Sequence, residues 1–480
     1  MKLSWSIISI LSRFGATAVG IVQSFIIVKL LTQDEYGLMG IAMGIGASLG
    51  VYQNLGISSG STREIAAASD KKEAFKVFIG SLLVRYIIAI PLVIILIFFS
   101  GWISANVNNR PELIWPLRLF AMTLFVQALQ STLNSVIQGF KKFKFLFNFQ
   151  VWIAFVSLVI YTPLINYYGL NGYFYALLTF NIVSTIVLLI YSLKQFEGNF
   201  EFPGFKELLS IIKSIFAIGI FVYAIKIIDT QWQRLGPVFL AVELDNMKIA
   251  VLTFALMVSS KVIMISDAIT DVTLPSMTDV YKKSNELFLS TLKKGNTSAN
   301  ILITFCCLFL IFFKYELFSI VDFIFLFIGK NRILDTYADS FKLMDPLIIA
   351  FWGYSHINLL RSGFSVPSKN LKGAVFSHIM LFVGTFFSYY NVFKNINVFG
   401  SQNNSLMCLA LSMAIGGLLA YFAFLLFTYF ESKIMLVGRF DFIIFVIAAI
   451  SLVGFYMGVP NYLGLFLYVI PAYFVYKSNR

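Results

Sequence analysis

Stretches of about twenty apolar residues recur along this chain from one end to the other, each long enough to cross a lipid bilayer as a helix. They lie near 4–31, 37–59, 76–100, 116–140, 149–167, 172–193, 210–231, 249–275, 296–313, 342–364, 373–393, 405–430, 440–457 and 461–476, fourteen in all. Only 12% of the residues are charged and 59% are hydrophobic, whereas a water-soluble domain carries about 25% charged residues. A surface this apolar must face lipid. The sequence therefore predicts an all-α polytopic membrane protein of about fourteen transmembrane helices, with membrane lipids as its surroundings.

The distribution of basic residues orients the spans. With the N-terminus inside, the cytoplasmic segments hold 21 Lys and Arg and the outer segments hold 8, the asymmetry of the positive-inside rule. Both termini are then cytoplasmic, in the inner or plasma membrane. The net charge of +13 is accounted for by these loops and by anionic headgroups, so no nucleic-acid partner is expected. The apolar run 317–329 has 13 residues and contains Asp322; it is too short to cross and reads as an interfacial or re-entrant part of an outer loop. The first apolar stretch is too long for the core of a cleavable signal peptide and reads as a retained span. Cys306, Cys307 and Cys408 lie inside apolar runs without metal-ligand spacing and read as packing residues.

Two sequence features recur at similar offsets. Asn134 to Phe140 and Asn358 to Phe364 both read N-x4-G-F before a basic loop, and Asp34 and Asp245 each follow a span. These matches predict an N-terminal six-helix lobe over 1–200, a C-terminal six-helix lobe over 201–432, and two appended transmembrane helices over 433–480. Transporters built from such parallel repeats place substrate between the halves.

Charges inside the spans are the candidate functional residues, because a basic side chain facing mid-bilayer lipid costs about 2.5–3.5 kcal/mol. Lys29, Arg118 and Arg361 lie near span ends, where they can snorkel to the headgroups. Arg13, Arg85, Lys226 and Lys261 are deeper and are expected to face a wet cavity and bind substrate. Asp229 lies one turn after Lys226, and Asp267 and Asp271 follow Lys261; Asp229 and Asp267 are placed to pair with these cations or to couple an ion. The first four spans contain no acid to neutralise Arg13 or Arg85. Unpaired cations suit an anion such as a pyrophosphate, whose oxygens take charge-assisted hydrogen bonds. His356 and His378, the only histidines, have the ordinary titration range to carry protons, although satisfied interior histidines are the commoner finding.

No phosphate-binding loop, H-E-x-x-H or D-x-D motif is present, nor an H-x4-D acyltransferase signature. With no loop large enough for a folded domain, a transporter without cofactor or metal is expected rather than an enzyme.

Several short motifs then stand out: Lys29-Leu30-Leu31-Thr32-Gln33-Asp34-Glu35-Tyr36-Gly37, Asn54-Leu55-Gly56, Thr62-Arg63-Glu64-Ile65-Ala66 and Gln138-Gly139-Phe140-Lys141. With them the chain resembles the Wzx-type O-antigen and polysaccharide flippases of the multidrug/oligosaccharidyl-lipid/polysaccharide exporter superfamily. In the second half Asn246-Met247-Lys248 replaces the family's usual Gly-x-Tyr. The resemblance implies two six-helix lobes around a V-shaped central cavity, lined mainly by spans 1, 2, 7 and 8. It implies an isoprenoid-pyrophosphate-linked oligosaccharide as substrate, flipped by alternating access, with a polysaccharide polymerase and a chain-length regulator as partners. The rival readings are an exporter of the same fold for drugs or the peptidoglycan lipid precursor, and an integral membrane polymerase or glycosyltransferase.

Overall fold

The computed structural model describes residues 5–107, 109–326, 332–393 and 404–479. The described residues form sixteen α-helices and no strands. In chain order they are α1 (Trp5–Leu30), α2 (Gln33–Gly50), α3 (Ile57–Ala67), α4 (Lys71–Asn106), α5 (Ile114–Gly139), α6 (Phe143–Phe196), α7 (Phe205–Leu240) and α8 (Asn246–Ser259). They continue with α9 (Val262–Lys283), α10 (Asn285–Ile324), α11 (Ile333–Thr336), α12 (Ser340–Leu360), α13 (Lys372–Phe387), α14 (Asn404–Ser432), α15 (Arg439–Tyr456) and α16 (Asn461–Asn479). Among the described residues, eight helical stretches are long and apolar enough to cross a membrane.

The helices differ from the expected spans where the backbone must turn. The expected span 37–59 is two helices, because the chain leaves α-helical geometry at Leu55 (φ 36°) and Gly56 (φ 77°). The expected span 249–275 is likewise divided at Ser260 and Lys261 into α8 and α9. Spans 149–167 and 172–193 are two helices that meet at Gly169, where the backbone leaves helical geometry (φ 53°, ψ −130°); α6 comprises both. The apolar run after Leu317 continues α10 beyond a bend at Phe313 and stays helical to Ile324. There the buried Asp322 accepts the Ile333 and Leu334 N–H groups at 2.9 and 3.1 Å, capping α11; residues 327–331 lie outside the described residues.

The chain falls into two compact units, one of residues up to Ala250 and one mostly of residues from Val251 onward. Helix α7 belongs to the first. In that unit the glycines of α2 admit close neighbours: a β-carbon at Gly37 would overlap the Asn246 carbonyl oxygen, and one at Gly44 would come 2.8 Å from the Arg234 carbonyl. In the second unit α12, α13 and α14 pack through glycines in the same way. A β-carbon at Gly353 would lie 2.5 Å from the Gly417 carbonyl oxygen, and one at Gly416 would lie 2.8 Å from that of Leu381. Small residues at helix contacts let backbones approach where no hydrophobic force drives helices together in lipid.

Candidate functional site

The break between α2 and α3 organises a buried polar site in the first unit. Asn54 acts as the cap of α3: its Oδ1 accepts the Ser58 N–H at 3.2 Å and the Ser58 hydroxyl at 3.0 Å. The left-handed turn at Leu55 and Gly56 is what brings the Asn54 side chain over this helix end. Helix α4 delivers Arg85 to the same place. Its guanidinium donates to Ser58 Oγ at 2.9 Å and to Asn54 Oδ1 at 3.5 Å, while its Nε has no acceptor among the described atoms. The residue is 1% exposed, and no carboxylate among the described residues pairs with it. On the far side Tyr223 of α7 donates its hydroxyl to the Val51 carbonyl, and Gln53 of the broken segment donates to the Leu124 carbonyl at 2.7 Å. The Val51 carbonyl, at the unwound end of α2, is thus met by a side chain, as a membrane interior requires.

Two clamps hold this arrangement. Thr32 and Glu35 form a capping box at the start of α2, and the same Glu35 carboxylate accepts the Leu170 N–H at the α6 kink, 3.0 Å away. Arg110, between α4 and α5, donates to the Ala241 and Leu244 carbonyls beyond the end of α7, each at 2.5 Å, and to Asn246 Oδ1. A cation at a helix C-terminus is favoured by the aligned peptide dipoles.

The other residues singled out from sequence occupy different settings. Arg13 lies on α1, with its side chain outside the described residues; so does that of Asp271 on α9. Lys226 is exposed on α7, whereas Asp229, one turn on, is 1% exposed. Lys261 sits half-buried at the turn between α8 and α9. Asp267 on α9 accepts from Asn358 at 2.8 Å, and Asn358 in turn accepts from Arg361 at 2.6 Å, joining α9 to the end of α12. The structure brings Arg85 to Asn54 and Ser58, and Asp267 to Asn358.

Sequence reading missed a buried ion pair. Lys314 of α10, one residue past the expected span 296–313, pairs with Asp345 of α12, and Tyr456 of α15 donates to the other Asp345 oxygen at 2.9 Å. The 31-residue separation in sequence hides this contact from any local pattern.

The motifs near residues 62–66 and 138–141 also meet. Ile65 packs on Gly139, where an added β-carbon would lie 2.5 Å from Ile65 Cγ2. Beside them is an open pocket of about 610 Å³ whose rim includes Lys71, Lys72 and Lys141.

Comparison with known proteins decides the family. The chain matches the polysaccharide biosynthesis protein family over residues 26–322. It belongs to that family. Comparison with curated proteins finds no match. Among solved structures, the lipid II flippase MurJ in an inward closed conformation is similar with a TM-score of 0.71 at 15% identity, covering 98% of each chain. An inward-facing multidrug resistance MATE family transporter of the MOP superfamily gives 0.59 at 18% identity, covering 90% of this chain and 95% of the other. A MOP superfamily transporter from Pyrococcus furiosus gives 0.54 at 15% identity, covering 87% and 93%.

This member of the polysaccharide biosynthesis family is therefore a multi-pass membrane protein with the all-helical fold of those transporters. The segment that carries the family match contains the Thr32–Glu35 box, the Asn54–Gly56 break, Arg85 and Arg110, whereas His356 and Asp441 lie beyond it.

Proposed function

We propose that this protein flips an isoprenoid-pyrophosphate-linked oligosaccharide, a repeat unit of O-antigen or another surface polysaccharide, across the cytoplasmic membrane by alternating access. The observation that carries the reading is Arg85, a guanidinium buried at a break in a membrane helix with no carboxylate partner among the described residues. Family membership and the fold of lipid and drug transporters support it. Charges are kept at such depth when they serve a substrate path, and discontinuous helices mark binding regions in transporters of repeat design.

In this proposal Arg13, Lys226 and Lys261 hold the pyrophosphate, the sugars occupy a wet cavity, and the isoprenoid tail stays in lipid. Arg85 is a positioning residue as well as a cation. It fixes the α2–α3 break through Asn54 and Ser58, and its remaining N–H is available to an anion when the break opens. Asp229 and Asp267 tune the neighbouring cations. No covalent chemistry is assigned to the chain. Both termini face the cytoplasm, and a polymerase and a chain-length regulator act on the delivered unit. The lobes that rock in this proposal are residues 1–200 and 201–432, with the two helices of 433–480 appended.

The test is complementation of surface polysaccharide in cells lacking their own flippase, read beside protein level and thermal stability. Arg13→Ala is expected to lose transport tenfold or more at near-normal expression, since removing one partner of a buried charged contact costs about 2–5 kcal/mol. Arg13→Lys is expected to retain part of it, because the charge survives and the bidentate fork does not. Full complementation by Arg13→Ala would remove the anion site from α1.

A further inference from the structure

A second buried polar system lies in the unit that begins at Val251, on helices α10, α12 and α15. Asp441, in the first turn of α15, is 1% exposed. Its Oδ2 accepts the Gly438 N–H at 2.9 Å and the Thr297 hydroxyl at 3.1 Å, and its Oδ1 accepts from Asn300 Nδ2 at 3.2 Å. The Asn300 Oδ1 lies 3.0 Å from His356 Nε2 and accepts the Thr304 hydroxyl at 3.0 Å. Thr304 accepts the Trp352 indole N–H at 2.9 Å, and the other ring nitrogen of His356 lies 2.8 Å from the Trp352 carbonyl oxygen. Asn300 and His356 are 1% and 4% exposed.

The polarity of these contacts fixes a proton count. An indole N–H only donates and a carbonyl oxygen only accepts. With the chain running Trp352 to Thr304 to Asn300, the oxygen of the Asn300 amide faces His356 Nε2, which must carry hydrogen. Nδ1 faces a carbonyl and must carry hydrogen too. The ring is then an imidazolium, balanced by an ionised Asp441 one amide away. Turning the amide over presents its NH2 to a neutral ring, but its oxygen then faces Asp441 Oδ1, which must be protonated to donate. Both arrangements hold one proton more than a neutral histidine with an ionised aspartate. Without that proton, either orientation leaves two acceptors facing each other in a dry interior, a costly contact.

We propose that His356, Asn300 and Asp441 form a binding site for one proton, carried on His356 Nε2 or on Asp441 Oδ1 according to which way the Asn300 amide is turned. Loading joins α12 to α10 and α10 to α15; release to water frees one of those two links. Other titratable groups on the helices packed here are Tyr421 on α14, whose ring lies 5.2 Å from that of His356, and Tyr468 on α16, which donates to the Ile301 carbonyl at 2.9 Å. Asp267 is bonded to Asn358, and Lys293, Lys294 and Arg439 lie toward the start of α10 and α15. Tyr468 also hydrogen-bonds the Thr304 side chain, and none of these groups bonds His356, Asn300 or Asp441. As a coupling site for transport the relay rests on the flippase reading; as a proton site it stands on its own geometry.

The chain has two histidines, so a His378→Gln protein labelled with ¹⁵N-histidine reports His356 alone. In lipid nanodiscs between pH 4 and 10, the His356 signals are expected to show one reversible transition. Asp441→Asn is expected to move it to lower pH by about one unit or more, as for strongly interacting sites. Asn300→Ser, which cuts the amide link, serves where Asp441→Asn does not fold and is expected to displace the transition as well. No transition, or one that these substitutions leave in place, overturns the proposal. An intact transition in a protein that moves no lipid-linked oligosaccharide counts against the flippase reading and leaves the site standing.

Discussion

Glu35 and Gly169 are locked together: the carboxylate that caps α2 fills the space where any β-carbon at position 169 would sit, and its Oε1 accepts the next backbone N–H, that of Leu170, at 3.0 Å. One acidic side chain therefore fixes both the start of α2 and the kink of α6. The motif Thr32 to Gly37 is in this light a structural joint, with Gly37 admitting the Asn246 carbonyl beside it.

Gly169→Ala tests the joint. The glycine holds a backbone geometry (φ 53°, ψ −130°) that other residues occupy at a cost of about 1–3 kcal/mol, and the new methyl group would displace Glu35. The expected result is a clearly lowered melting temperature in detergent. Glu35→Gln is expected to be milder, because the amide oxygen still accepts from Leu170.

Arg110 is the second joint. Arg110→Ala strands the Ala241 and Leu244 carbonyls and Asn246 in a buried position, a loss of about 2 kcal/mol or more. Lowered expression and stability are expected, with Arg110→Lys only partly restoring them because one ammonium cannot reproduce the fork.

The connection from α6 to α7 carries a pH dependence whose sign follows from its ion pairs. The hydrogen bond from Lys76 holds the Glu201 carboxyl below the usual range, and Lys71 does the same for Glu197. Because these carboxyls are depressed in the folded protein, their contribution is full above about pH 4.3, the ordinary glutamate value, and is lost as pH falls through the lowered values. Amide exchange over residues 198–202, corrected for intrinsic rate, is expected to accelerate on acidification and to be fast already at neutral pH in Lys76→Ala.

The sequence is most readable where the physics is local. Apolar runs place the helices, because each span satisfies its own backbone in lipid and must be apolar to do so. The breaks were less visible: hydropathy averages through Leu55 and Gly56, and through Ser260 and Lys261, although Asn54-Leu55-Gly56 stood out as a motif. The depth of Arg85 could be read from its position in a span. Its partners could not, since Asn54 and Ser58 are brought to it by a left-handed turn 30 or so residues away. Lys314 was misplaced for the same reason; counting charges puts it in a loop, while Asp345 and Tyr456 draw it inside. His356 was anticipated as a satisfied interior residue, and the proton it shares emerges only once α10 and α15 are in place.

The most direct test of the central claim uses the purified protein in liposomes. A fluorescently labelled isoprenoid-pyrophosphate-linked oligosaccharide is reconstituted in both leaflets and exposed to a membrane-impermeant quencher. The account predicts that nearly all of the label is quenched in vesicles containing the protein, about half in protein-free vesicles, and about half with Arg13→Ala. Protection of half the label in the presence of the intact protein, or conversion of the labelled unit to longer chains, would contradict it.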